Sequence, residues 1–425
     1  MEERAVLKRK KKQDSNMKNT VVPSEFDLAL LTHYHSTKYL TYNGALGFGK
    51  KYPDLAERND IYSLYTKVRE NAGYDFVAPF PGPKEGKEKF TFIDLFAGIG
   101  GFRMALQNLG GKCVFTSEWD KYSKQTYFAN YGDYPFGDIT SETVKAHVPK
   151  QFDILCGGFP CQPFSIAGVS KKNSLGRLHG FEDEKQGNLF FHIAEIIQSH
   201  RPKAFFLENV KNLVSHDKGN TFKVIRDTLE GLNYSFDTAV IDGAYFVPQH
   251  RERTFMIGFD KDFFGDKVAF DFKDVKIPKI KKPVKTILQL EVPEKYTLTD
   301  NLWNYLNEYA KKHREKGNGF GFGLANLEGV TRTISARYYK DGAEILIPQH
   351  GKNPRRLTPQ EAAALQGYPM YPINTDEEKK SLKIPVSDTQ AYRQFGNSVV
   401  MPLIQAIGNE IALKLRKPVA NESIM

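Results

Sequence analysis

FIDLFAGIGG, residues 92 to 101, is an apolar strand candidate running into a glycine turn. A short apolar run ended by glycines reads as a buried strand, and missing side chains let a ligand approach the backbone there. A cofactor site is the expectation. The dinucleotide fingerprint GxGxxG would need glycine at 103, but Arg103 stands there and no Walker lysine occurs, so a pyrophosphate cradle is disfavoured. The ligand expected on this turn lacks a phosphate chain.

Outward from this turn, a strand rhythm continues through CVFTSEW, FDILCGG, AFFLENV and RTFMIGF, separated by helix-length segments such as 188–199 and 220–231. Strands alternating with helices imply an α/β fold built on an open, mostly parallel sheet. Past Gly258 the rhythm fades into lysine-rich, proline-punctuated sequence (DVKIPKIKKPVK, 274–285) and a glycine- and aromatic-rich region to about residue 354, which reads as a smaller irregular domain. TPQEAAALQ from 358 and VVMPLIQAIGNEIALKL from 399 read as helices. Upstream, the basic run Lys8 to Lys12 marks a disordered tail, Ser24 and Asp27 stand at capping-box spacing, and Leu55, Ile61, Leu64 and Val68 mark an apolar helical face over 54–71. PFPGPKEGKEK (79–89) has the composition of a linker. The expected division is a tail (1–17), a helical extension with linker (18–89), a catalytic domain (90–270), a second domain (271–385) and a C-terminal segment returning to the catalytic domain (386–425).

The 425 residues carry 60 Lys and Arg against 50 Asp and Glu, a net charge of +10, and this basic balance favours a polyanionic partner such as nucleic acid. The three cysteines, Cys113, Cys156 and Cys161, form no CxxC pair, which disfavours a disulfide framework or a cysteine zinc site. A reducing cytosol fits. No stretch approaches about 18 consecutive apolar residues, and the amino terminus lacks an apolar h-region, so neither a membrane span nor a secretory signal is expected.

Several side chains fall where open α/β sheets bind ligands, at the carboxyl ends of strands. Glu118 lies 20 residues beyond Gly98, where an acid can accept bonds from ribose hydroxyls. Asp138, in FGDIT, ends a third segment and can take an adenine amino proton. Glycine turn, Glu and Asp in that order point to a nucleoside cofactor, and S-adenosylmethionine is a nucleoside without phosphates. Cys161 sits in FPCQPF (159–164), bracketed by two prolines that leave its backbone few conformations. A thiol held so stiffly suits attack chemistry or a buried turn, and its place beyond a strand end favours attack. Cys113 and Cys156 fall inside apolar strands and read as packing. Glu208 ends AFFLENV, as a general acid or a helix cap. Arg251 and Arg253, two apart in QHRER, would share one side of an extended chain and bind a base, phosphate or carboxylate, or join a surface ion pair.

Together these segments resemble the cytosine-5 DNA methyltransferases, with DLFAGIGG, SEWD, GDI, GFPCQPFS, ENV, QHRER, RRLTPQEAAALQGYP and FGNSVV in the family's order over residues 91–270 and 330–410. The resemblance implies an S-adenosylmethionine-dependent methyltransferase with a Rossmann-like sheet and a target-recognition domain. It implies that Phe96, Gly98, Gly100, Glu118, Trp119, Asp138, Ile139, Pro160, Leu189 and Asn397 meet the cofactor. By the same likeness Cys161, Glu208, Arg251 and Arg253 are catalytic, and Gln162 and Ser165 belong to a loop that meets DNA. SARYYKDGAEILI (335–347) and IPVSDTQAYRQFGNSVV (384–400) are similar to a prokaryotic subgroup that methylates the inner cytosine of CC(A/T)GG or CCNGG. Thr333 and Ile334 match a Thr-aliphatic pair of the family's recognition region. Arg332 and Arg337 are the candidates for reading guanine, whose O6 and N7 accept two bonds from one arginine. Double-stranded DNA is the expected partner of a monomer that needs no metal, with a cognate restriction endonuclease as functional companion. The glycine- and charge-rich stretch 166–188 reads as a closing loop or an ordinary surface loop.

Rival readings account for less. A Cys-His hydrolase using Cys161 with His179, His192 or His250 leaves Glu118, Asp138 and the glycine turn without a task. A DNA-binding module needs no nucleophile, and the DPPY-like motif of exocyclic-amine methyltransferases is missing. RNA as substrate within the same family is the runner-up.

Overall fold

In a computed structural model, residues 24–37, 78–84, 86–160, 189–318 and 321–416 are described. Six strands form the central sheet: β1 (Phe90–Leu95), β2 (Gly111–Ser117), β3 (Ile154–Gly158), β4 (Ala204–Val210), β5 (Asp237–Asp242) and β6 (Glu252–Phe259). Their order is β2-β1-β3-β4-β6-β5. β2, β1, β3 and β4 pair in parallel, while β6 runs antiparallel to both β4 and β5. The sheet is therefore mostly parallel, as expected.

Strand side chains alternate between faces, and both faces here are buried. Phe92, Cys156, Phe206 and Ile257 point into one core; Ile93, Leu155, Phe205 and Met256 point into the other. That double burial makes β1, β3 and β4 near-continuous apolar runs. Helices α2 (Gly101–Asn108) and α3 (Lys121–Tyr131) follow β1 and β2, α4 (Leu189–His200) precedes β4, and α5 (Asn220–Gly231) follows it. Their positions match the helix-length segments read from sequence. Cys113 and Cys156 are buried in strands, and burial pushes the Cys113 thiol up to about 12.

Other expectations are refined. FGDIT contributes one parallel bridge, Ser117 to Phe136, rather than a strand, because the chain at Tyr134–Phe136 meets β2 only where β2 ends. β5, DTAVID, escapes an apolar-run search because it is an edge strand whose residues are all at least partly exposed. The second region is less irregular than its composition suggests. It holds the 16-residue helix α6 (Asp300–Glu315), opened by Thr299, whose side chain accepts from the Leu302 N–H; within the helix only Leu306 and Ala310 are buried. A short hairpin follows, β7 (Leu346–Gln349) with β8 (Lys352–Arg356). The linker stretch is laid against the fold at Phe80, whose N–H donates to Asn130 O at 3.0 Å and whose carbonyl accepts from Gln107 Nε2 at 3.2 Å.

Upstream, α1 (Glu25–Thr37) begins with the anticipated capping pair: the Asp27 N–H donates to Ser24 Oγ at 3.2 Å and Ser24 N–H to Asp27 Oδ2 at 3.3 Å. The second helical segment, 54–71, and the tail 1–17 lie outside the described residues. At the other end, α7 (Pro359–Leu365) carries a full capping box between Thr358 and Glu361. Helices α8 (Asp388–Asn397) and α9 (Met401–Leu415) close the described chain. Their span is apolar enough by composition to cross a membrane, but Ile404, Ile407 and Ile411 are wholly buried in the first core. Gly408 lets α9 lie close on α2, since a Cβ there would come within 2.7 Å of Leu106.

Candidate active site

The carboxyl ends of β1 to β4 open onto one crevice of about 800 Å³. β1 leaves the sheet through backbone that turns left-handed at Phe96 (φ 56°), Gly98 (φ 55°) and Gly100 (φ 83°). For a phenylalanine that conformation costs about 1–3 kcal/mol and persists only where its surroundings enforce it. The glycines differ in purpose. A Cβ on Gly98 would meet open space over the crevice, whereas one on Gly100 would strike the Tyr131 ring at 2.3 Å. Gly98 keeps the floor open to a ligand; Gly100 serves packing behind it.

At the end of β2, Glu118 secures that turn. Its Oε2 accepts the Gly98 N–H at 2.8 Å and its Oε1 accepts the Asp120 N–H at 2.7 Å. Burial lifts its pKa above the ordinary carboxylate range despite these bonds. The next residue, Trp119, is 80% exposed, an uncommon setting for so large an apolar ring and one that suits a planar ligand. Asp138 lies two residues past the bridge at Phe136; it is exposed, and its Oδ1 accepts the Thr140 N–H at 2.9 Å. Ile139 is buried beside it. Pro160, half-buried Leu189 at the start of α4, and exposed Asn397 at the end of α8 complete the wall. An open glycine floor, an exposed indole and two spaced acids fit a nucleoside carrying no phosphate.

The opposite wall holds the reactive groups. β3 ends at Gly158, paired in register with Glu208 on β4, and a Cβ on Gly158 would come within 3.2 Å of Glu208 Oε2. The absent side chain makes room for the acid. Glu208 is 8% exposed, and Arg253 Nε donates to its Oε1 at 3.0 Å. Burial raises the Glu208 pKa although Arg253 and Arg251 both pull it down. A carboxyl kept within reach of protonation beside a cation can pass a proton to a ring nitrogen and then hold the resulting charge. Both arginines line the crevice, but they part company below its surface. Arg251 is almost wholly buried, and its guanidinium donates to the carbonyls of Ile334 (3.2 Å), Gly396 (2.9 Å) and Ser398 (2.6 Å).

Asn209 was not singled out from sequence. Its Nδ2 donates to the Phe159 carbonyl at 2.8 Å, which fixes the backbone two residues before Cys161. The signal was present as an amide directly after a strand-end acid. Cys161, Gln162 and Ser165 themselves lie outside the described residues, as does the stretch 166–188. Arg332 and Arg337 are exposed, and Thr333 donates through Oγ1 to the His250 carbonyl. None of the three lines the crevice.

Comparisons with known proteins agree with this geometry. Residues 90–413 match the family profile described as C-5 cytosine-specific DNA methylase. The chain is 45% identical over 404 residues to the DNA-cytosine methyltransferase of Escherichia coli (strain K12), covering 83% of this chain and 84% of that one. It is 44% identical over 362 residues to Type II methyltransferase M.HpaII of Haemophilus parainfluenzae, covering 81% and 95%. Among solved structures, S. pombe Dnmt2 methyltransferase superposes with a TM-score of 0.58 at 16% identity, over 77% of this chain and 99% of that one, a likeness of fold.

Proposed function

The chain belongs to the C-5 cytosine-specific DNA methylases, and on that premise we propose that it methylates the inner cytosine of CC(A/T)GG or CCNGG through a covalent adduct of Cys161. The observation that carries the reading is the meeting of β3 and β4. Glu208, its pKa raised by burial, stands opposite Gly158, three residues before Cys161.

Cytosine C5 is a poor nucleophile until a thiolate adds to C6 and turns the ring into an enamine. Cys161 forms that bond. Glu208 donates its proton to N3, so negative charge does not build on the ring, and Arg253 holds the carboxylate that remains. Once C5 has taken up the methyl group, the C5 proton leaves to a base, the C6–S bond breaks and N3 returns its proton to Glu208, which restores the aromatic ring, the thiolate and the acid. Asn209, by holding the Phe159 carbonyl, keeps the approach of Cys161 constant, and small misplacements of reacting groups cost large rate factors. Since neither ring face is reachable in a duplex, the target flips out, at a cost of a few kcal/mol.

Family membership implies S-adenosylmethionine, which when bound supplies the methyl group on a sulfonium. Glu118 would hold its ribose, Asp138 its adenine amine, and Phe96 and Trp119 its ring faces. The Gly98 floor, Pro160, Leu189 and Asn397 enclose the rest, with Ile139 packed behind Asp138. The region 271–385 reads the target, with Gln162 and Ser165 on the loop meeting DNA. Several relatives are Type II methyltransferases, which favours work beside a cognate restriction endonuclease.

Two experiments test this. Cys161→Ser should abolish methylation with S-adenosylmethionine binding nearly intact, and should no longer trap duplex containing 5-fluorocytosine; a persistent covalent complex removes Cys161 from the mechanism. Bisulfite sequencing of a randomised-site library reports the context. There, Arg337→Ala or Arg332→Ala should relax choice at one guanine, a loss of roughly 1–3 kcal/mol of discrimination. Wild-type context in both variants moves base readout to other residues.

A further inference from the structure

Helix α1 lies outside the stretch that matches the family profile, which begins at residue 90, yet it packs on the two segments that lead to Glu118 and Asp138 in the crevice. β2 is the edge strand, so its outer backbone groups need partners. The Thr116 N–H donates to His33 Nε2 at 3.2 Å, and His33 Nδ1 sits 2.9 Å from the Ala29 carbonyl. The first bond requires an unprotonated Nε2, so Nδ1 carries the hydrogen and donates to Ala29. On the same edge, the Thr116 carbonyl accepts the Phe136 N–H at 2.9 Å and the Phe136 carbonyl accepts the Glu118 N–H at 2.9 Å.

The helix grips the second of these segments too. The His33 ring lies 4.7 Å from the Phe136 ring and the Phe26 ring 5.7 Å from it. Thr32 Oγ1 accepts the Tyr134 N–H at 2.8 Å. Glu118 follows Thr116 by two residues and Asp138 follows Phe136 by two. Two backbone hydrogen bonds and one isolated bridge join their segments, and α1, which holds Thr116 and packs on Phe136 from outside, is the further clamp on the spacing of the two acids.

We propose that α1 is a working part of the cofactor site, with His33 the positioning residue that sets Glu118 against Asp138. This rests on the reading that those acids hold S-adenosylmethionine. The helix touches no reacting atom. It acts on how well the ribose and adenine ends of one ligand are met together.

The test uses the full chain, three helix variants and one variant of the crevice acid. His33→Phe keeps a ring but no acceptor, His33→Gln restores an acceptor, and Thr32→Val removes the neighbouring one. Leaving a buried N–H unpaired should raise the calorimetric Kd for S-adenosylmethionine about tenfold in His33→Phe. Turnover at saturating cofactor should fall far less, duplex affinity should hold, and amide exchange at residues 116–118 should quicken. His33→Gln should recover most of the loss, and Thr32→Val should shift Kd in the same direction as His33→Phe. Wild-type cofactor affinity in folded His33→Phe and Thr32→Val overturns the proposal; if His33→Phe does not fold, Thr32→Val decides. Glu118→Ala separates the two readings. If Glu118→Ala binds S-adenosylmethionine as the wild type does, the cofactor assignment falls. If it weakens binding while the helix variants do not, the role of α1 alone falls.

Discussion

Glu208 is a residue pulled in two directions, up by burial and down by Arg253 and Arg251, with burial prevailing. An acid whose folded pKa is raised binds more protons folded than unfolded, so its contribution to stability declines as pH rises from the ordinary carboxylate range through the raised value. Glu208→Gln removes that penalty while its amide oxygen can still accept from Arg253. The variant should therefore melt no lower than the wild type at pH 8, with the difference shrinking toward pH 5, while single-turnover methylation drops by roughly a hundredfold or more. Thermal melts and rapid-quench assays at both pH values check this. The position of Glu208 was legible because it ends an apolar run on the ligand edge of the sheet. The parting of Arg251 from Arg253 was not, since alternation places two side chains on one side of a strand but says nothing of which carbonyls wait below it.

At the scale of elements, α1 carries its own pH dependence. His33 is buried neutral, and desolvation lowers its pKa to about 4; among neighbours on other elements Asp133 opposes that shift while Arg103 and His147 reinforce it. Between about 6.5 and 4 the unfolded chain takes up a proton that the folded one refuses, so stability falls with pH across that window. Urea unfolding should show the wild type losing about 2 kcal/mol more than His33→Gln on going from pH 7 to pH 5. Equal losses would mean that His33 is not held neutral. Elements buried on both faces, β1, β3 and β4, announce themselves as apolar runs, and α7 announces itself through Thr358 and Glu361. β5 and α6 do not, because each hides too little apolar surface to leave a period. The seat of α1 on β2 joins residues 83 apart in sequence through one lone pair and one amide, which no local pattern encodes.

Across the whole molecule, residues 248–251 lace three regions together. Thr331 exchanges backbone bonds with Pro248 and His250, and Gln249 Oε1 accepts the Ile334 N–H at 2.8 Å. Gln249 Nε2 donates to the Leu365 carbonyl at 3.1 Å, while Arg251 joins Ile334 to Gly396 and Ser398 on either side of Asn397. The segment proposed to read the target and the wall proposed to hold the cofactor thus share one guanidinium. A lysine cannot present the same planar fork, so Arg251→Lys should weaken both ligands and reduce, by about five- to tenfold, the factor by which S-adenosylhomocysteine changes duplex affinity. Paired titrations with and without that ligand measure it; an unchanged factor rules Arg251 out as the coupler.

That lacing has a bearing on how such enzymes can be recombined. Four of the six hydrogen bonds between residues 248–251 and 331–334 end on the backbone of the latter segment, where they are blind to side-chain identity, and the other two come from the Thr331 and Thr333 hydroxyls. Gly396 adds a steric condition, since a Cβ there would lie 2.3 Å from the Ser335 carbonyl and the Ala336 nitrogen. On the proposed division of labour, the joint is a socket that accepts a foreign reading head so long as the incoming main chain follows the same path and keeps a hydroxyl at 331 and 333. On the proposed assignments, a graft cut within 331–336 should weaken cofactor binding, whereas one cut outside it should carry its specificity across, outcomes that calorimetry and bisulfite sequencing of the chimeras would report.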